Sequence, residues 1–277
     1  MSSVSGLSKP SKDYSETIDP QAVLDELQFV QKQLSANQDV SEYVAPVETR
    51  KELQELEHQR TTLEVVTSLF GTAFIASTAV SIVGLIGLAL AWKPLTRIQK
   101  VSRLIKLIED LLGAFENLGV EALPLLRVPK LQPIDLFVRF PGKEFLLFAV
   151  RSFGESTIVY NESKQALYYK RGRKGSKRWE PDPMQELSDQ AYWLRKNRRE
   201  LFGSSKGVRK PMAKVVVIWG KTQLDQHREH LYAKVGGQKF LFIPREGGAC
   251  YVIHQSQVVE FTRAYLVERQ SKLLVNS

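Results

Sequence analysis

Residues 133–154 read PIDLFVRFPGKEFLLFAVRSFG, and the fold class turns on them. Two runs of large apolar residues, 134–140 and 145–151, are separated by Pro141-Gly142-Lys143-Glu144. Aromatic and β-branched side chains favour extended backbone and Pro-Gly marks a tight turn, so the stretch predicts two strands joined by that turn. An acid, Asp135, begins the first strand, and a cation, Arg151, ends the second. Further strand-like runs lie at 157–160, 166–169, 215–219 and 239–243, with helical stretches at about 184–201 and 257–274. Gly236-Gly237 and Gly247-Gly248 read as hairpin turns. Strands and helices mixed in this way predict an α+β domain over 126–277.

Downstream of the two strands, residues 179–201 read WEPDPMQELSDQAYWLRKNRREL, a helix opened by a proline. The order of these pieces resembles the nuclease-related domain (NERD) of the PD-(D/E)XK nuclease superfamily. That family is typically written as an I-D strand, a V-F-V-x-E-x-K strand, a Trp, and then N-P-x-x-Q opening a helix. The matching pieces here are Ile134-Asp135, the strand at 145–151, Ser152-Phe153-Gly154, Trp179, and Asp182-Pro183 with Gln185. The resemblance covers somewhat over half of the 277 residues. It implies a restriction-endonuclease-like mixed sheet with flanking helices, and nucleic-acid binding or processing.

The chain departs from that pattern at the catalytic centre. In such nucleases an Asp and a Glu hold a divalent metal, usually Mg²⁺, and a Lys two residues beyond the Glu positions or activates the attacking water. Where E-x-K is expected, this chain has Ala149-Val150-Arg151. A methyl group binds no metal. Arginine stays protonated and cannot serve as a base, although it still grips phosphate. Asp135 alone would leave Mg²⁺ mostly to solvent. Glu144 lies five residues before Ala149, which in a strand turns its side chain to the opposite face. Glu155 stands just beyond the strand and could swing in. The expectation is a vestigial site of Asp135, Ala149 and Arg151 with no cofactor, Mg²⁺ entering only if Glu155 substitutes for the missing acid.

The other half of the chain has a different character. The first 92 residues carry 6 Lys and Arg against 12 Asp and Glu, while the remainder carries 33 against 18, giving +9 overall. Between these halves, 65–92 reads VVTSLFGTAFIASTAVSIVGLIGLALAW, 28 residues without a charge. One helix of that length would run about 42 Å, enough for one tilted pass through a hydrocarbon core of about 30 Å. A single transmembrane helix is therefore expected, and the cations Lys93, Arg97, Lys100, Arg103 and Lys106 behind it place the C-terminal domain in the cytoplasm. Residues 1–18 are expected to be a disordered tail, and 19–64 helical and coiled-coil-like, with Val23, Leu27, Val30 and Leu34, then Leu53, Leu56 and Leu63, spaced to pair the two helices with each other or with another chain. Residues 93–125 read as a basic amphipathic juxtamembrane helix suited to anionic lipid.

The remaining candidates are cationic. Lys170, Arg171, Arg173, Lys174, Lys177 and Arg178 put six cations into nine residues beside Trp179, and Arg195 and Arg199 follow on the predicted helix. Cations next to aromatic faces suit phosphate contact with base stacking, and they suit an anionic membrane surface or plain solvent as well. His227 and His230 stand three apart, which is not the zincin spacing of four, and read as a solvated helix face. The one cysteine, Cys250, excludes an intrachain disulfide and any Cys-rich metal site. Two readings follow. One is a single-pass membrane protein with a catalytically degenerate domain that binds DNA or RNA. The other is a membrane-tethered scaffold that contacts protein or anionic lipid.

Overall fold

The computed structural model describes residues 45–76, 82–172, 175–245 and 248–275. Two long helices come first, α1 (Ala45–Ala76) and α2 (Ile82–Phe115). They are followed by β1 (Glu121–Leu126), β2 (Ile134–Arg139), β3 (Phe145–Arg151), β4 (Thr157–Asn161), β5 (Ala166–Lys170) and β6 (Lys177–Arg178). Helices α3 (Pro183–Asn197) and α4 (Ser205–Arg209) lead into β7 (Met212–Ile218) and the short β8 (Gln223–Leu224). The chain closes with β9 (Tyr232–Val235), β10 (Gln238–Ile243), β11 (Cys250–His254) and α5 (Val258–Val275).

The main sheet runs β1-β2-β3-β7-β11-β10-β9, and a smaller one runs β6-β5-β4-β8. Pairing is antiparallel for β1 with β2 and β2 with β3, then parallel for β3 with β7 and β7 with β11. The α+β class expected from the sequence is therefore observed, with a mixed sheet between helices. Strand alternation sends side chains to two cores. Leu136, Val138, Leu146, Phe148 and Val150 share one with α2 and α5, whereas Phe137, Phe145, Leu147 and Ala149 share the other with α3. Because both faces are covered, the central strands are almost uninterruptedly apolar. The β2–β3 turn closes as expected, with the Lys143 N–H donating to Phe140 O at 2.9 Å and Lys143 itself at φ 65°. Gly236 (φ 53°) and Gly237 (φ 85°) form the β9–β10 turn, where positive φ at both positions favours glycine.

The N-terminal part differs from expectation in three respects. The described part of the uncharged run at 65–92 belongs to two helices that pack on one another. Residues 65–76 are helical in α1 and residues 82–92 in α2. Among the described residues no helix is long and apolar enough to cross a membrane. The basic helix expected to lie on lipid is the second half of α2, and its apolar stripe is core. Val101, Leu104, Ile105, Ile108, Leu111 and Phe115 are buried against the sheet. Burying each such side chain is worth about 1.5–3 kcal/mol, and the sheet face beneath would otherwise be wet. The helix thus belongs to the domain, which extends further towards the N-terminus than 126. Finally, Leu56 of the expected coiled coil is 2 % exposed in that same core, and Leu53 packs on it. The tail at 1–18 and the coiled-coil positions before residue 45 lie outside the described residues.

Candidate functional site

Asp135 is the second residue of β2 and is 1 % exposed. Its partner strand continues the β2–β3 ladder past Leu136↔Phe148, so Ala149 stands beside it. The Val150 N–H donates to Asp135 Oδ2 at 2.8 Å, and Arg151 Nη1 donates to the same oxygen. Oδ1 is taken up by an ion pair with Lys100 Nζ at 2.5 Å, reaching in from α2. The other end of the guanidinium turns to α3, where Arg151 Nη2 donates to Glu186 Oε2 at 2.7 Å. The result is a chain of alternating charge, Lys100–Asp135–Arg151–Glu186, at the end of the sheet where β2 begins and β3 ends. It sums to zero, with Arg151 in the middle and only 18 % of its side chain exposed.

Local sequence explains each position. Asp182 caps α3 by accepting the N–H groups of Met184 (3.0 Å) and Gln185 (3.4 Å), and Pro183 occupies the first turn. This cap is itself held by Arg245, whose Nη1 donates to Asp182 Oδ2 at 2.7 Å. The cap fixes the first turn so that Glu186 faces Arg151. Gln185, taken from the sequence as the motif position, points elsewhere and donates to Asp189 Oδ1. Two residues intervene between the Pro and the Gln of N-P-x-x-Q, and that count lands on Glu186. The signal was in the sequence. Lys100 gave no such signal, because its role requires α2 to lie on the sheet.

Burial alone would lower the basicity of Arg151, but Asp135 and Glu186 more than offset that, and the guanidinium is held above its ordinary range. It is a permanent cation. A divalent metal needs several free oxygen ligands at roughly 2.0–2.6 Å, and here both oxygens of Asp135 and one of Glu186 are engaged by cations. Among the described residues no group of three or more His, Cys, Asp or Glu is placed to hold a metal. Ala149 is buried in the core shared with α3, and no acid stands in its place. Glu155 is exposed and pairs with Lys221 at 2.6 Å. Glu155, the substitute acid considered from the sequence, meets Lys221 in this structure, and the second acid that meets Arg151 is Glu186. These residues do not fit Mg²⁺.

The cationic residues divide. Lys170, Arg171, Lys177 and Arg178 are exposed on the β5–β6 ribbon, where Tyr169 pairs with Lys177 and Tyr168 with Arg178. Arg173 and Lys174 lie outside the described residues. Arg171 Nη2 comes 3.5 Å from the carbonyl of Phe153, two residues beyond Arg151, so the ribbon borders the Asp135–Arg151 end of the sheet. Trp179 is 3 % exposed, wedged edge-on against Phe153 at 4.7 Å, and Phe153 in turn stacks on Tyr169. It is a core residue and offers no face to a base. Arg195 donates to Val208 O (2.7 Å) and Lys210 O (2.9 Å), which spends its guanidinium on holding the C-terminal end of α4. Arg199 is exposed, but it begins a 3₁₀ turn (Arg199–Phe202) beyond the far end of α3. It stands thirteen positions after Glu186, about 20 Å along a helix.

His227 lies in a loop and His230 in a single 3₁₀ turn (Glu229–Leu231), so the two do not share the helix face expected from the sequence. His227 Nε2 accepts the Tyr160 N–H at 2.9 Å, and burial lowers its imidazole below the ordinary range. His230 pairs with Glu162 at 2.8 Å. No family model matches the chain, and no curated protein or solved structure matches it either.

Proposed function

We propose that the chain is a membrane-attached protein whose nuclease-like domain binds nucleic acid through phosphate without hydrolysing it. One observation carries the reading. Arg151 lies between Asp135 and Glu186, where two acids would otherwise share a cation, so the protein's own guanidinium fills the place of a catalytic metal. The mixed sheet between helices and the capped α3 agree with the resemblance to the NERD family. The exposed ribbon cations adjoin that end of the sheet and supply charge for phosphate. The uncharged run at 65–92 supports membrane attachment, and the cations that follow it favour the cytoplasmic side for the domain.

With Trp179 buried, binding rests on charge more than on stacking. Affinity should therefore differ little between single strands and duplex, and it should fall steeply with salt through counterion release. Fluorescence anisotropy of a labelled 30-mer with the full chain, between 50 and 200 mM salt, tests this. The proposal expects a linear fall of log affinity with log salt. The scaffold reading, in which the domain contacts protein or anionic lipid, expects no binding even at 50 mM.

A further inference from the structure

The first turns of α1 are fastened to the α+β domain. Thr49 Oγ1, fully buried, accepts the Ala122 N–H of β1 at 3.0 Å. Arg50 grips Glu116, just past the end of α2, through Nε at 2.8 Å and Nη2 at 2.7 Å to the two carboxylate oxygens. One turn and a half further on, Leu56 lies in the core with Leu104, Ile108 and Leu111 of α2. The chain therefore leaves the domain along α1 and returns along α2, and the two helices run antiparallel. The residues just before the uncharged run are held on the same side as those just after it.

A single pass would require the opposite. It would carry Thr49, Arg50 and Leu56 across the bilayer from Ala122, Glu116 and the α2 stripe, and break every one of these contacts. Within the uncharged run, residues 65–76 are helical in α1 and 82–92 in α2. Such arms are about 16–18 Å long, too short to cross about 30 Å of hydrocarbon and long enough to pass its midplane. The last charge before the run is Glu64 and the first after it is Lys93. With α1 and α2 antiparallel, these two residues mark a polar base for the pair of arms. At that base Arg97 is exposed and Arg60 lies 3.5 Å from Glu64.

We infer that the antiparallel arms 65–76 and 82–92 enter the bilayer as a helical hairpin from one face, so that residues 45–64 and the α+β domain share one side of the membrane. The inference rests on the reading of membrane attachment and replaces the single pass. The bilayer is the occupant the sequence favours: 28 uncharged residues without one Asp, Glu, Lys or Arg suit acyl chains, and cations follow directly at Lys93 and Arg97 for the headgroups.

The test uses the full chain in membrane vesicles, with Cys250 replaced by Ala and single cysteines introduced as Thr61→Cys, before the run, and Ser176→Cys, in the ribbon. Both positions are exposed. A membrane-impermeant maleimide should label both in inside-out vesicles and neither in right-side-out ones. Ser35→Cys with Ser163→Cys gives a second pair should the first fold poorly. Labelling of the two positions from opposite sides would overturn the hairpin while leaving membrane attachment intact. Recovery of the chain in the carbonate-washed supernatant, as a monomer or as a dimer, would overturn both.

Discussion

Replacing Arg151 by Gln removes the cation that joins two carboxylates while leaving a side chain of similar reach. Breaking a buried ion pair by deleting one partner costs about 3–5 kcal/mol, because the remaining charge is left uncompensated. Lys100 stays on Oδ1 of Asp135 and softens the loss, and Glu186 is 15 % exposed and can recruit water, so the lower end applies. About 3 kcal/mol corresponds to roughly 6–12 °C in Tm for a domain of this size. Thermal unfolding of the full chain, followed by tryptophan fluorescence, reads this directly. Asp135→Asn combined with Arg151→Gln should cost less than the two changes summed, by about 0.5–3 kcal/mol, since they act on one contact. Arg151→Lys should fall between, because a point ammonium cannot bridge both acids as a planar fork does. A Tm within 2 °C of the parent for Arg151→Gln, or strict additivity in the cycle, would refute the view that this guanidinium holds the site together.

Three other outcomes are expected. Replacing Arg171, Lys177 and Arg178 together by Gln should weaken nucleic-acid binding similarly for all sequences and flatten the salt slope, by about 0.9 per lost phosphate contact on duplex and about 0.7 on single strands. Trp179→Ala should cost about 3–5 kcal/mol of stability, as removal of a buried aromatic does, while nucleic-acid affinity at temperatures well below its Tm stays within twofold. Because burial holds the His227 imidazole below its ordinary range and its neutral form accepts the Tyr160 N–H, this group's contribution to stability is full above about pH 6.5 and is lost as pH falls through the lowered folded value. His227→Gln should remove that part of the pH dependence between pH 5 and 7 in urea unfolding.

The two central strands, the proline-opened helix and the Gly-Gly turn could be read from local sequence, because each is dictated by side-chain pattern and turn chemistry within a few residues. The antiparallel course of α1 and α2 could not. Hydropathy is the same for one long helix and for two arms. What decides between them is Thr49 on Ala122 and Arg50 on Glu116, contacts across more than sixty residues. The same long-range docking turned a lipid-facing stripe into core and brought Lys100 to Asp135. Trp179 looked like a stacking platform because cations flank it in sequence, yet the β5–β6 ribbon turns those cations outward and the indole inward onto Phe153. The departure at Asp135, Ala149 and Arg151 was legible from the motif that this stretch resembles. Their neutralisation by Glu186 depended on the orientation of one helical turn, which the Asp182 cap fixes.

The central claim is that Arg151 occupies the place of a catalytic cation, so the domain holds nucleic acid and leaves it intact. End-labelled single-stranded and duplex oligonucleotides incubated with the full chain in Mg²⁺ or Mn²⁺, then run on a denaturing gel, test it most directly. The account predicts full-length strands throughout, at protein concentrations where anisotropy shows the strands to be bound. Shortened strands that require the metal and disappear with Asp135→Ala would contradict it.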